Sequence, residues 1–179
     1  MLRLSVILLS VVMLGINPMS IPNKDERAAQ RAELPSFTVI GPFVRTTNAV
    51  EMSGNEGKIG PLWNQFMHGG AEAIPGVIDK NTIYAVYTGY ESDANGAYDL
   101  ILGKSVQPQT QAPGNMKAIH IPAARYLVFS AAASSPDAIK AAWMNIYGYF
   151  AHQSETRRAF TFDFEQHSDA ETKIFIAVR

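Results

Sequence analysis

Two extended runs decide the fold: Thr82-Ile83-Tyr84-Ala85-Val86-Tyr87-Thr88-Gly89-Tyr90 and Ala97-Tyr98-Asp99-Leu100-Ile101-Leu102-Gly103-Lys104-Ser105-Val106. Between them lies Ser92-Asp93-Ala94-Asn95-Gly96, and Asn-Gly is the favoured pair for a tight hairpin turn, so the runs are expected to pair antiparallel. Upstream, Ile59, Leu62, Trp63 and Phe66 recur at helical spacing, with Pro61 in the first turn and Gly69-Gly70 as a stop. Before that helix, Phe37 to Thr47 reads as a strand broken at Gly41-Pro42. The same order then recurs. Met116 to Phe129 reads as one long strand with Pro122 at a bulge or an edge. Ser135-Pro136-Asp137 caps a helix whose stripe is Ile139, Trp143, Ile146 and Phe150. Phe160, Phe162 and Phe164 alternate with polar residues, and Lys173 to Val178 closes a second hairpin. The implied fold is α+β: two β-α-β-β units with an antiparallel sheet, two helices and a cleft at a pseudo-twofold seam. Small-molecule sites favour such seams.

The chain has 179 residues, 47% of them hydrophobic, enough for a sizeable core. Fifteen Lys and Arg against sixteen Asp and Glu give a net charge of −1, which argues against a nucleic-acid partner. There is no cysteine, so disulfides, thiolate metal sites and cysteine nucleophiles are excluded together. Arg3 precedes Leu4 to Ile16, a run without charge that Asn17-Pro18 breaks. Thirteen residues of helix cover roughly 20 Å, short of the ~30 Å membrane core. Residues 1–20 are therefore expected to be a signal peptide or membrane anchor, placing the protein outside the cytoplasm or tethered to the membrane. The alternative is a cytoplasmic protein translated from Met13 or Met19. Residues 21–34 carry charges among alanines without an apolar stripe and read as a solvated spacer. The domain is expected to span 35–179.

His68, His120, His152 and His167 lie in different elements without paired spacing, so neither a metal site nor a cofactor is expected. His68, at a helix end, is the one plausible axial ligand for haem. Ser134 and Ser135 sit where serine caps a helix, and no Gly-x-Ser-x-Gly elbow occurs. What stands out is aromatic surplus. Alternation along the first run puts Tyr84, Val86, Thr88 and Tyr90 on one face and Tyr87 on the other, so Tyr84 and Tyr90 are expected to line a cavity wall that Trp63 completes. Periodicity places Glu165 with Thr161 and Asp163 on the polar face of its strand. That face is either solvated or bent into the seam, where a buried carboxylate among rings would receive a cation.

Five ordered segments carry a resemblance: Val44-Arg45-Thr46-Thr47-Asn48-Ala49, Ile83 to Asp93, Asn95-Gly96-Ala97-Tyr98, Ile121-Pro122-Ala123-Ala124-Arg125-Tyr126, and Asp163-Phe164-Glu165. They resemble bacterial GyrI-like effector-binding proteins, the integron-cassette type above all, from about Phe37 to Arg179. The resemblance implies the SOUL-like duplicated fold of the ligand-binding domains of AraC- and MerR-type multidrug regulators. It also implies a cleft for bulky, often cationic, aromatic compounds. The Phe-Glu glutamate, matched by Glu165, anchors the cation. A tyrosine usually follows that glutamate by two residues, and here His167 takes the place. The expected function is a stand-alone module that binds or sequesters such compounds, with Glu165, Trp63, Tyr84 and Tyr90 as ligand-binding residues. The alternative is a GyrI-like hydrolase of reactive small molecules that uses the cleft glutamate.

Overall fold

β-Branched and aromatic runs form the strands and the two apolar stripes form the main helices of the computed structural model, which describes residues 29–53, 57–152 and 156–179. Strands β1 (Gln30–Leu34), β2 (Phe37–Gly41) and β3 (Phe43–Thr46) come first. The short helix α1 (Asn48–Met52) and α2 (Ile59–Gln65) follow, the latter winding into a π-type turn over Phe66–Gly70. Then come β4 (Ile83–Thr88), β5 (Tyr98–Val106), β6 (Lys117–Ile121), β7 (Ala124–Ser130), α3 (Pro136–His152), β8 (Asp163–His167) and β9 (Thr172–Ala177). The apolar segment Leu4 to Ile16 lies outside the described residues. Among those described, no helix is long and apolar enough to cross a membrane.

The strands form an antiparallel sheet in the order β1-β7-β9-β8-β4-β5-β2-β6, with β3 also on β5. At its centre β4 and β8 pair antiparallel, Ala85 opposite Glu165. On either side, β9 and β5 and then β7 and β3 occupy matching positions, which is the expected pseudo-twofold duplication. Both helices lie on one face of the sheet. Under α2, Leu62 and Phe66 pack with Ala85, Leu100 and Leu102; under α3, Ala142 and Ile146 pack with Ile174 and Ile176. The alternate residues Val86, Ile101, Phe164 and Phe175 join Val39, Ile121 and Tyr126 on the other face. Strands β4, β5 and β9 thus each serve two cores, and β5 is buried along nearly its whole length.

Four expectations need correction. First, residues 30–34 are not spacer, because β1 pairs with β7 over its full length, Gln30 opposite Val128 and Leu34 opposite Ala124. Its side chains gave no apolar stripe because an edge strand held by backbone hydrogen bonds needs little burial. Second, Asn95-Gly96 is not a two-residue turn. A nine-residue loop joins β4 to β5, closed by Glu91 N–H on the Ala97 carbonyl at 2.8 Å, and Gly96 does not adopt a positive φ. Third, Met116 to Phe129 is two strands: at Pro122, which cannot donate to a ladder, the chain leaves β2 and moves on to β1 and β9. Fourth, Phe160 sits at φ +52 outside any strand, so β8 begins only at Asp163.

Candidate functional site

On β4 and β8 the odd-numbered residues face the helices. Ser135 caps α3, its Oγ accepting from Ala138 N–H at 3.3 Å. Helix α2 is capped from α1, since the Glu51 carboxylate accepts from the Lys58 and Ile59 amides at 3.0 and 3.2 Å. An anionic group at a helix N-terminus is favoured by the exposed amides and the dipole. The helices are so held apart that their facing sides and the sheet enclose a cavity of about 800 Å³. Trp63 of α2 and Trp143 of α3 line it from opposite sides, Tyr87, Tyr90 and Tyr98 come from the first half, and Glu165 and His167 lie on β8.

Glu165 is 3% exposed. A buried carboxylate is costly unless it is hydrogen-bonded, and three donors reach this one. The Tyr87 hydroxyl and the Trp143 indole N–H donate to Oε1 at 2.7 and 2.6 Å, and His167 Nε2 lies 2.8 Å from Oε2. Oε1 is therefore filled, while Oε2 keeps one lone pair free of these donors. Burial, reinforced by the Glu165 charge, pushes the Tyr87 hydroxyl well above its usual range and so keeps it a donor. The rings interlock: Tyr87 lies 5.0 Å from Trp143 and 5.6 Å from Tyr98, and Trp63 meets His167 edge to face at 5.0 Å.

A second polar cluster closes one end. Asp163, fully buried, accepts from the Tyr90 hydroxyl at 2.7 Å, the Ala177 amide at 2.8 Å and the Arg158 guanidinium. Arg158 stacks on Phe160 with 4.5 Å to the ring centroid. Burial, the largest single effect, works to lower its pKa, and the Asp163 charge and hydrogen bond together with the neighbouring Tyr90 and Tyr147 hydroxyls outweigh it and raise it. Asn48, placed by α1, donates to the Tyr147 hydroxyl at 3.1 Å and accepts from that of Tyr98 at 3.2 Å.

Of the residues expected to form the site, Trp63, Tyr90 and Glu165 line the cavity, and Tyr84 does not. Tyr84 faces the opposite core, 5.4 Å from Phe37 and 6.1 Å from Phe164. The expected alternation fails because β4 ends at Thr88 and Gly89 takes φ +59, which changes the phase of the chain before Tyr90. Arg45 holds that break by donating to the Gly89 carbonyl at 3.1 Å and to Asp99 at 3.0 Å. Tyr87, assigned to the far face, is thus the tyrosine on the carboxylate. Trp143 was also missed as a site residue, although its echo of Trp63 is visible in the sequence. Glu165 does share a face with Asp163, but helices cover that face. His68 bonds back to the Asn64 carbonyl of its own helix at 2.8 Å and does not line the cavity.

Comparison with known proteins gives this geometry a context. A Vibrio cholerae integron cassette protein is 34% identical, with a TM-score of 0.70 over 86% of this chain and 97% of its own. SAV2435, solved bound to tetraphenylphosphonium, superposes with a TM-score of 0.68 at 17% identity, over 84% of this chain and 93% of its own. YobU of Bacillus subtilis, whose name marks it as a candidate transcriptional regulator, is 28% identical over 75% of this chain and 88% of its own. Residues 32–178, which include both helices, the whole seam and the buried carboxylate, match the integron-associated effector binding proteins, and the chain belongs to that family.

Proposed function

We propose that the chain binds a bulky, lipophilic aromatic cation in the cavity between α2 and α3, with Glu165 as the counter-charge and Trp63, Tyr87, Tyr90 and Trp143 as the ring walls. The observation that carries this reading is a buried carboxylate, held by three donors, facing an aromatic cavity of about 800 Å³. Ring faces attract a desolvated cation by roughly 0.5–2 kcal/mol each, and a low-dielectric wall strengthens its pairing with the carboxylate. The tetraphenylphosphonium bound to SAV2435 is a ligand of this class. Two donors already fill Oε1, an arrangement that suits a fixed charge receptor more than a group that must take up a proton from water.

The test pairs a tetraphenylphosphonium titration with one of triphenylphosphine oxide, a neutral aromatic, into wild type and Glu165→Gln. Loss of a through-space ion pair worth roughly 1.5–3 kcal/mol at an effective dielectric of about 20 weakens the cation by about 10- to 100-fold and leaves the neutral compound nearly unaffected. Equal losses for both compounds would instead mean general damage to the cavity. No loss for either would remove Glu165 from the site.

A further inference from the structure

We infer that His167 is the specificity-determining residue of this cavity: as an imidazolium it acts as an internal cation on Glu165, so a ligand cation binds with release of the His167 proton. This rests on the cation-receptor reading and deepens it. His167 Nε2 is 2.8 Å from Glu165 Oε2, and the two side chains are 12% and 4% exposed. The other ring nitrogen, Nδ1, lies 3.2 Å from the Thr172 hydroxyl, whose oxygen is 3.0 Å from that of Ser134. A hydroxyl both donates and accepts. It therefore satisfies Nδ1 whether that atom carries a proton or not, and the fold accommodates both charge states of the ring.

The surroundings leave the imidazole as the variable charge. From α2, Trp63 presents a neutral ring edge. From β4, Ile83 is the backbone partner and Tyr87 the neutral donor to Oε1; from α3, Trp143 is the other donor. Thr172 faces it from β9. Other charged groups lining the cavity are Glu51, engaged by the α2 amides, Lys140, and Arg158, paired with Asp163. Imidazole is the side chain whose ordinary titration falls between about pH 5 and 8. With His167 protonated, the pair is neutral and gives an incoming cation no net charge to meet. With His167 neutral, the full carboxylate charge faces the cavity. Because the ligand-free protein holds a proton that the complex releases, cation affinity rises with pH, by up to about tenfold per unit on the acid limb, and levels off once the ring is neutral.

Tetraphenylphosphonium affinity is measured from about pH 5 to about pH 8 in wild type and His167→Gln, an amide that retains a donor for Oε2 and an acceptor for Thr172. The expected result is a sloping profile for wild type and a flat one for the variant, whatever affinity the variant retains. The same slope in both overturns the inference. Imidazole NMR titration of the ligand-free protein keeps the outcome separate from the cation reading. If the compound binds at no pH, that reading fails, while a His167 midpoint that falls in Glu165→Gln still supports the coupled pair. A midpoint that Glu165→Gln leaves unchanged overturns it.

Discussion

Tyr84 and Tyr87 are neighbours on one strand with opposite duties. Tyr84 packs against Phe37 and Phe164 beneath the sheet, whereas Tyr87 donates to Glu165 above it. Tyr84→Ala is accordingly expected to lower the melting temperature and leave tetraphenylphosphonium affinity within about twofold of wild type. Tyr87→Ala removes a ring from the cavity wall and is expected to weaken the cation by about 2- to 30-fold, the equivalent of roughly 0.5–2 kcal/mol. Calorimetry and titration on the same two samples check both halves; comparable loss of affinity in the two variants would contradict the assignment of faces. Sequence periodicity separated these two tyrosines correctly from one another. It tied Tyr90 to the wrong partner, because phase is carried only as far as the strand runs, and Gly89 interrupts it. Nor does a two-residue repeat say which of two faces a helix covers, which is why Glu165 could be placed with Asp163 but not under α3.

Elements were legible to the extent that their signals were local. The stripes of α2 and α3, the serine cap and the runs of β4 and β5 depend on residues near in sequence. Strand β1 does not: Gln30-Arg31-Ala32-Glu33-Leu34 is a strand because β7 offers it a backbone edge. Its removal is expected to expose that edge and the half-buried Leu34 contact, lowering stability by about 1–2 kcal/mol and the melting temperature by roughly 2–8 °C. Scanning calorimetry of a chain beginning at Pro35 tests this, and an unchanged transition would return β1 to the status of a spacer. The corner between β2 and β3 makes a sharper demand. A Cβ on Gly41 would lie 1.7 Å from the Leu102 carbonyl oxygen, and one on Gly103 would lie 2.3 Å from that of Ile40. Two facing glycines let these backbones cross where Pro42 bends the chain. Since only backbone could yield, Gly41→Ala is expected to cost more than the roughly 1–3 kcal/mol of ordinary overpacking, seen as loss of soluble folded protein or a large shift in the urea midpoint.

At the scale of the molecule, several tyrosine hydroxyls are enclosed together, and their surroundings hold them above their usual range. Burial, followed by the charges of Glu165 and Asp163, raises Tyr87 and Tyr90 well above 10.0; burial likewise raises Tyr98 and Tyr147. Tyr126, on the other face, is pushed up to about 12. The folded protein keeps protons that the unfolded chain surrenders near pH 10, so this stabilisation is complete below that pH and declines as pH rises above it. Each such tyrosine contributes a slope of about 1.4 kcal/mol per pH unit. Urea unfolding at about pH 9 and about pH 11 is expected to show a fall of several kcal/mol, and a flat profile would mean that the rings are not enclosed as a group. The duplication has a different consequence, one of ancestry. Trp63 and Ala85 are matched by Trp143 and Glu165 at one constant offset, and α2 and α3 repeat the same sequence of exposed and buried positions around their tryptophans. Ala85 and Glu165 also pair directly, at the axis between the halves. A dimer of identical half-chains would have to place two carboxylates there, facing and repelling each other, or none. Joining the copies in one polypeptide lets their sequences diverge, so that a cage built by symmetry holds a single charge at its centre.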